Sequence, residues 1–268
     1  MATFNQTEYV TTYTPSLLES VSRQNQRSTL GIDGNTLPFK GIDVWRAYEF
    51  TWLNSRGKPE VAVADFLVPS KSSQLTESKS LKLYLGSYAN TTFGHRNEVV
   101  LALETDLSDA VQAQVSVSLN APEVIQQEGV GQFTGTLLDS LDIDISDYRC
   151  HPEFLECSRM TVVRENLYTH LFRSLCPLTG QPDFASIQIG YNGPEISHEG
   201  LLRYLISYRE HPEFAEQVSE RIFVDILNRC TPERLIVSAR YTRRGGIEIN
   251  AHRTLDEQTP TEVRLWRQ

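Results

Sequence analysis

Apolar and polar positions alternate along Ala47-Tyr48-Glu49-Phe50-Thr51-Trp52-Leu53 and again along Glu60-Val61-Ala62-Val63-Ala64-Asp65-Phe66. A period of two marks half-buried strands, and Asn54-Ser55-Arg56-Gly57-Lys58-Pro59 between them has turn chemistry, so the pair reads as a β-hairpin. The pattern predicts helices over about 78–87 and 97–111, then strands over 115–119 and 132–137. In the second half Leu167, Leu171 and Phe172 predict a helix, and Ala185-Ser186-Ile187-Gln188-Ile189-Gly190-Tyr191 a strand. Leu201, Leu202, Leu205 and Ile206 mark one amphipathic helix, and Phe214, Val218, Ile222, Ile226 and Leu227 a second with a period near 3.6. Leu235, Val237, Ala239 and Tyr241 alternate, turn at Arg244-Gly245-Gly246, and return through Ile247 and Ile249 as a hairpin.

The order hairpin, helix pair, hairpin thus occurs twice. It predicts an α+β chain of two modules, residues 1–150 and 151–268, each an antiparallel sheet with a helix pair on one face. The polar stretch 138–162 reads as the connection and residues 1–37 as an irregular arm. Two small sheets leave edge strands open, which favours self-association.

Composition narrows the chemistry. In 268 residues no apolar run approaches the ~20 needed to cross a bilayer, and Met1-Ala2-Thr3-Phe4-Asn5 does not open a signal peptide. A soluble, cytoplasmic protein is expected. Cys150, Cys157, Cys176 and Cys230 lack metal-type pairing and are expected to be reduced thiols. None of the six histidines has metal-site spacing, so no metal is expected. A net charge of −9 argues against nucleic acid as a partner. The basic tract Arg240-Tyr241-Thr242-Arg243-Arg244-Gly245-Gly246 is either a solvated hairpin tip or a local anion contact.

Leu175-Cys176-Pro177-Leu178-Thr179-Gly180-Gln181-Pro182-Asp183-Phe184 carries the clearest chemical signal. It sets one thiol after the predicted helix and one carboxylate seven residues on, beyond a turn. Such a pair can serve as nucleophile and proton donor, or be no more than a buried cysteine with a turn aspartate. In Glu77-Ser78-Lys79-Ser80-Leu81-Lys82-Leu83-Tyr84 an acid stands at a helix start, followed by two lysines. Helix solvation explains that tract, and so does a grip on a ligand's amide edge and phosphate. Glu216, on an apolar helix face, snorkels to solvent, pairs with Arg221 or waits for a ligand's donors.

Together the cysteine tract and Glu-Ser-Lys-Ser-Leu-Lys-Leu-Tyr resemble the NADPH-dependent nitrile reductase family of queuosine biosynthesis, a tRNA-modification pathway, in its long two-module form. The resemblance runs from Leu37-Pro38-Phe39 and Trp52-Leu53-Asn54 to the Arg-Arg-Gly-Gly turn. It implies two tandem tunnelling-fold modules, a homodimer without metal, and reduction of 7-cyano-7-deazaguanine to 7-aminomethyl-7-deazaguanine. It further implies Cys176 as the nucleophile forming a thioimide and Asp183 as the proton donor. Glu77, Ser78, Phe214, Ala215 and Glu216 would hold the deazaguanine, and Ser78, Lys79, Arg244 and Gly245 the NADPH. One departure stands out: the family carries Phe-His-Glu where this chain has Phe214-Ala215-Glu216. Alanine neither hydrogen-bonds nor titrates, which implies slowed hydride transfer with thioimide formation retained. His211, four residues earlier, is a candidate substitute. A weakened relative that traps the nitrile, and a zinc-dependent purine or pterin cyclohydrolase, are the alternatives.

Overall fold

The computed structural model describes residues 9–32, 36–256 and 263–268. The parts of the arm at 1–8 and 33–35 lie outside the described residues.

The arm is less irregular than its sequence suggests. It carries β1 (Ser20–Ser22) and α1 (Gln24–Thr29), and β1 pairs antiparallel with a later short strand. The expected hairpin follows as β2 (Lys40–Leu53) and β3 (Pro59–Pro69). Its turn is closed by Asn54, whose side-chain oxygen accepts from the N–H groups of Arg56 and Lys58, while Gly57 supplies the positive φ of 77°. A β-bulge between Ala47 and Phe50 shifts the register, so Trp45, Ala47, Phe50 and Trp52 all stay buried.

The strand that partners β1 is β4 (Gln74–Thr76), and it leads into α2 (Ser78–Gly86) and α3 (Arg96–Val111). β5 (Ser116–Asn120), α4 (Pro122–Glu128) and β6 (Thr136–Leu137) complete the first half. The predicted strand at 132–137 shrinks to its last two residues and does not pair with β5. β5 pairs with β3 instead, and β6 runs parallel to the next strand. The first half therefore lacks its closing hairpin.

The predicted helix at Leu167, Leu171 and Phe172 is a strand, β7 (Cys157–Leu175), which also cuts the expected connection short. A register shift between Thr169 and Phe172 explains the misreading. Leu167 and Thr169 point inward, the bulge moves Leu171 outward, and Phe172 and Ser174 point inward again. The resulting apolar spacing imitates a helix. β8 (Pro182–Ile196), α5 (His198–Ile206), α6 (Ala215–Cys230), β9 (Arg234–Tyr241) and β10 (Ile247–Thr254) follow as expected.

Instead of one sheet per module, all described strands but the β1–β4 pair form a single sheet of eight, in the order β5-β3-β2-β10-β9-β8-β7-β6. β2 and β10 pair antiparallel from Lys40–Thr254 to Ala47–Ile247 and join the halves. Two apolar cores lie along this sheet. One gathers Trp45, Phe50, Tyr84, Val99 and Leu103; the other gathers Phe172, Ile187, Leu202, Phe223 and Val237.

A local motif recurs in both cores. Tyr84 shares a hydroxyl–hydroxyl hydrogen bond with Tyr88 and donates to Asp106, at 2.7 and 2.6 Å. Tyr204 does the same with Tyr208 and Asp225, at 2.6 Å in both cases. Each first tyrosine lies two turns after its helix cap, Glu77 or Ser197.

At the joint between the halves sits a buried ionic cluster. Asp43 on β2 binds Arg23 at 2.6 Å and Arg253 on β10 at 2.7 Å. Glu220 on α6 binds Arg27 at 2.7 Å, Arg253 at 3.0 Å and Arg23 at 3.3 Å. These side chains are at most 3% exposed, so deleting one acid strands buried guanidinium groups. Glu220→Ala should lower the unfolding free energy by about 3–5 kcal/mol, measured by urea denaturation.

Candidate active site

Four segments frame a cleft enclosing ≈ 550 Å³ of empty space, its open mouth included. They are the β4–α2 junction, the loop after β7, the start of α6 and the β9–β10 turn. Thr76, Ser78, Lys82, Cys176, Asp183, Phe214, Ala215, Glu216, Tyr241 and Arg244 line it.

The thiol is fixed by backbone geometry. The N–H of Cys176 donates to the Gln181 carbonyl at 2.9 Å, and the N–H of Gly180 donates back to the Cys176 carbonyl at 2.9 Å. Gly180, at φ +68°, permits this tight closure. One residue earlier, Leu175 is hydrogen-bonded to His211 and Glu213, in the segment that enters α6. The cysteine loop and the start of α6 are thus one rigid unit.

Burial raises the Cys176 thiol, but hydrogen bonds from the Thr179 hydroxyl, the Leu178 and Thr179 backbone and the Arg244 guanidinium outweigh it. The thiol ends below its ordinary value. Asp183 goes the other way. Burial raises its carboxyl despite Arg244 and Lys82, although Arg244 lies only 3.1 Å from it. One neighbourhood therefore shifts the thiol down and the carboxyl up.

Glu216 is 2% exposed, and its carboxylate accepts from the Trp45 indole N–H at 3.0 Å. Burial and the nearby Asp43 charge push it up to about 7, against the pull of Arg23 and Arg253. Arg221 does not pair with it; that guanidinium is held by Glu213. His211 does not substitute for an imidazole at 215 either. Its ring binds Glu213 at 3.1 Å and does not line the cleft.

Glu77 caps α2, accepting from the N–H groups of Lys79 and Ser80 at 2.9 and 2.7 Å. Oε1 also accepts from the Ser78 hydroxyl at 3.5 Å, so the free lone pair is on Oε2. Its neighbours Thr76 and Ser78 line the cleft. Lys79 lies on the exposed side of α2, outside the cleft lining, whereas Lys82, one turn after Ser78, faces inward. Gly245, at φ +60°, packs against the Lys82 stem and borders an adjoining depression with Glu49 and Gly246.

A family model described as nitrile reductase, 7-cyano-7-deazaguanine-reductase N-term, matches residues 9–119, and one described as QueF-like protein matches residues 182–260. The chain is 46% identical to a protein of Chromobacterium violaceum over 97% of its own length and 94% of the relative's. It is 48% identical to proteins of Acidovorax ebreus and Paraburkholderia xenovorans, over 97% of this chain and 95% of each relative. All three are named NADPH-dependent 7-cyano-7-deazaguanine reductase. The chain belongs to the 7-cyano-7-deazaguanine reductase family. The cyclohydrolase alternative falls with these matches.

Within this reductase family member, Lys82, Thr179, Thr76 and Tyr241 are cleft or thiol-contacting residues that the sequence reading missed. Lys82 was findable from its helical spacing to Ser78. Thr179 and Tyr241 lie inside tracts already singled out, but nothing local marked them or Thr76 as contacts. Among the described residues no group of three or more His, Cys, Asp or Glu could hold a metal ion.

Burial pushes Cys150 up to about 11 and Cys230 up to about 12, so both stay protonated where Cys176 ionises. Iodoacetamide should therefore alkylate Cys176 before either of them. Its rate–pH midpoint should lie below that of a free thiol and move upward in Thr179→Val, as read by peptide mass spectrometry across pH.

Proposed function

We propose that this cleft reduces the nitrile of 7-cyano-7-deazaguanine to the aminomethyl group with NADPH, through a covalent bond between Cys176 and the nitrile carbon. The carrying observation is the opposed pair: a thiol held low and a carboxyl held high, lining one cleft. A nitrile accepts hydride poorly until a nucleophile turns its triple bond into a carbon–nitrogen double bond. A thiolate is that nucleophile, and a protonated Asp183 supplies the proton that the nitrile nitrogen takes up.

Glu216, and Glu77 through the free lone pair of Oε2, accept from the N–H groups of the base. Ser78, Phe214 and Ala215 border the same space. Lys82 and Arg244 bring positive charge to the cleft, which suits an anionic dinucleotide, and in the adjoining depression, also lined by Lys82, Gly245 leaves room where phosphates would approach. Ser78 and Lys79, at the start of α2, belong to the same proposed contact. NADPH supplies the hydrides; these residues bind and orient it.

Ala215 favours slow turnover. It places a methyl group in the cleft lining beside Glu216, and His211 is engaged by Glu213. Thioimide formation needs only Cys176 and a proton, so it is retained.

We also read residues 1–150 and 151–268 as tandem tunnelling-fold modules, on the strength of the repeated cap and tyrosine–tyrosine–aspartate motif. A cytoplasmic homodimer that uses the remaining sheet edges, with no direct nucleic-acid contact, completes this reading.

Intact mass spectrometry after mixing with the nitrile should show one substrate adduct, on Cys176. Cys176→Ala should abolish it and cut NADPH oxidation more than about 1000-fold, and Asp183→Asn should lower kcat about 100-fold. Undiminished NADPH oxidation by the alanine variant would end this assignment. KM for the nitrile should climb as pH falls below about 7, where Glu216 gains a proton and loses acceptor capacity.

A further inference from the structure

Tyr241 ends β9 inside the cleft. Its side chain is 4% exposed, and its hydroxyl is buried without a hydrogen-bond partner. The register fixes where it points. Ser174 on β7 sits opposite Asp183 on β8, and Ala185, two residues further along β8, sits opposite Tyr241. Opposed residues and those two apart share a face, so Ser174, Asp183 and Tyr241 all project to the side covered by α6 and Glu216. The ring packs on Phe172 at 6.4 Å. The Ser174 hydroxyl is also buried and lies near enough to pull on the phenol, but the contact does not reach hydrogen-bond geometry and leaves both hydroxyls unsatisfied. A buried, unpaired hydroxyl costs free energy in the free protein, and a polar group on the ligand would offset that cost.

We propose that the Tyr241 hydroxyl hydrogen-bonds directly to the nitrogen of the nitrile as it is reduced, as a second catalytic group beside Asp183. This rests on the nitrile-reductase reading above.

The chemistry at nitrogen requires a partner whose role can reverse. Addition of Cys176 S–H across C≡N forms the C–S bond and leaves C=N–H. One hydride on carbon and one proton on nitrogen give CH(NH₂)–S. The nitrogen lone pair then breaks the C–S bond, releasing the thiolate and C=NH₂⁺. A second hydride gives CH₂–NH₂, and a second proton restores the thiol. Nitrogen thus starts as an acceptor with no hydrogen and ends carrying two. Asp183 can only accept once it has given up its proton. A phenol donates to the bare nitrogen and accepts from N–H later. Burial, reinforced by the Asp183, Glu216 and Glu213 charges against a smaller pull from Ser174, keeps this phenol protonated well above its ordinary value.

Tyr241→Phe removes one oxygen and keeps the ring. The expected result is kcat lowered about tenfold, the worth of one neutral hydrogen bond made in the transition state. KM for the nitrile should stay within about twofold, and the Cys176 adduct should still form. The thermal midpoint of the free protein should be equal or higher, because the substitution deletes an unsatisfied buried group. Unchanged kcat, a loss confined to KM, or a lowered midpoint accompanying the lost activity would each overturn the inference. A parent protein that forms no adduct and oxidises no NADPH overturns the nitrile-reductase reading and this inference with it. A parent that turns over beside an equally fast Tyr241→Phe overturns this inference alone.

Discussion

Five charges with no access to water hold the two halves in register. Arg23, Arg27 and Arg253 face Asp43 and Glu220, so the group carries one uncompensated positive charge. Such clusters contribute less to stability than their number suggests, because each ion loses its hydration. What they fix is alignment. Asp43 and Trp45 are two apart on β2, and Arg253 also reaches the backbone carbonyl of Glu216 at 3.5 Å. The same residues that join the sheet therefore set where Glu216 stands: Arg23 and Arg253 favour its ionised form, and burial and the Asp43 charge oppose them.

The cleft beyond Glu216 uses one cation for two opposite ends. Arg244 donates toward the Cys176 sulfur and lies beside the Asp183 carboxylate. For the thiol, this charge and the loop's donors outweigh desolvation. For the carboxyl, desolvation wins. Local donors decide the difference: Thr179 and two backbone N–H groups hydrogen-bond the sulfur, and Asp183 is pulled down only by the charges of Arg244, at 3.1 Å, and Lys82. Arg244 and Lys82 act on both groups, whereas the Thr179 and backbone donors act on the sulfur alone, so changes at Thr179 should move the thiol more than the carboxyl.

Most elements were legible because their signals are local. The Asn54–Lys58 turn, the alternation of β9 and the period of α6 all follow from residues close in sequence. β7 was not legible, since its bulge at His170–Leu171 breaks the alternation that identifies a strand. Cys176, Asp183, Glu216 and Arg244 stood out by residue type, and the cleft gathers all four. Their regulators did not stand out. Trp45 lies 171 positions from Glu216, and Arg23 lies 197 from Glu220. Pairings over such distances leave no trace in spacing. The recurrence of Tyr-x-x-Ser-Tyr at Tyr84 and Tyr204 was visible all along, and would have supported the internal repeat more firmly than the incomplete match of strand order.

That recurrence has a practical side. Of the two equivalent helix starts, one bears Glu77 and the other Ser197, which caps by its hydroxyl at 3.2 Å. The Ser197 copy borders its own hollow, shared with Cys157 and His198. An engineer seeking a second chemistry on this scaffold has a ready address there: a carboxylate installed at position 197 would inherit a capping geometry already proven on the other side, leaving the original workplace untouched.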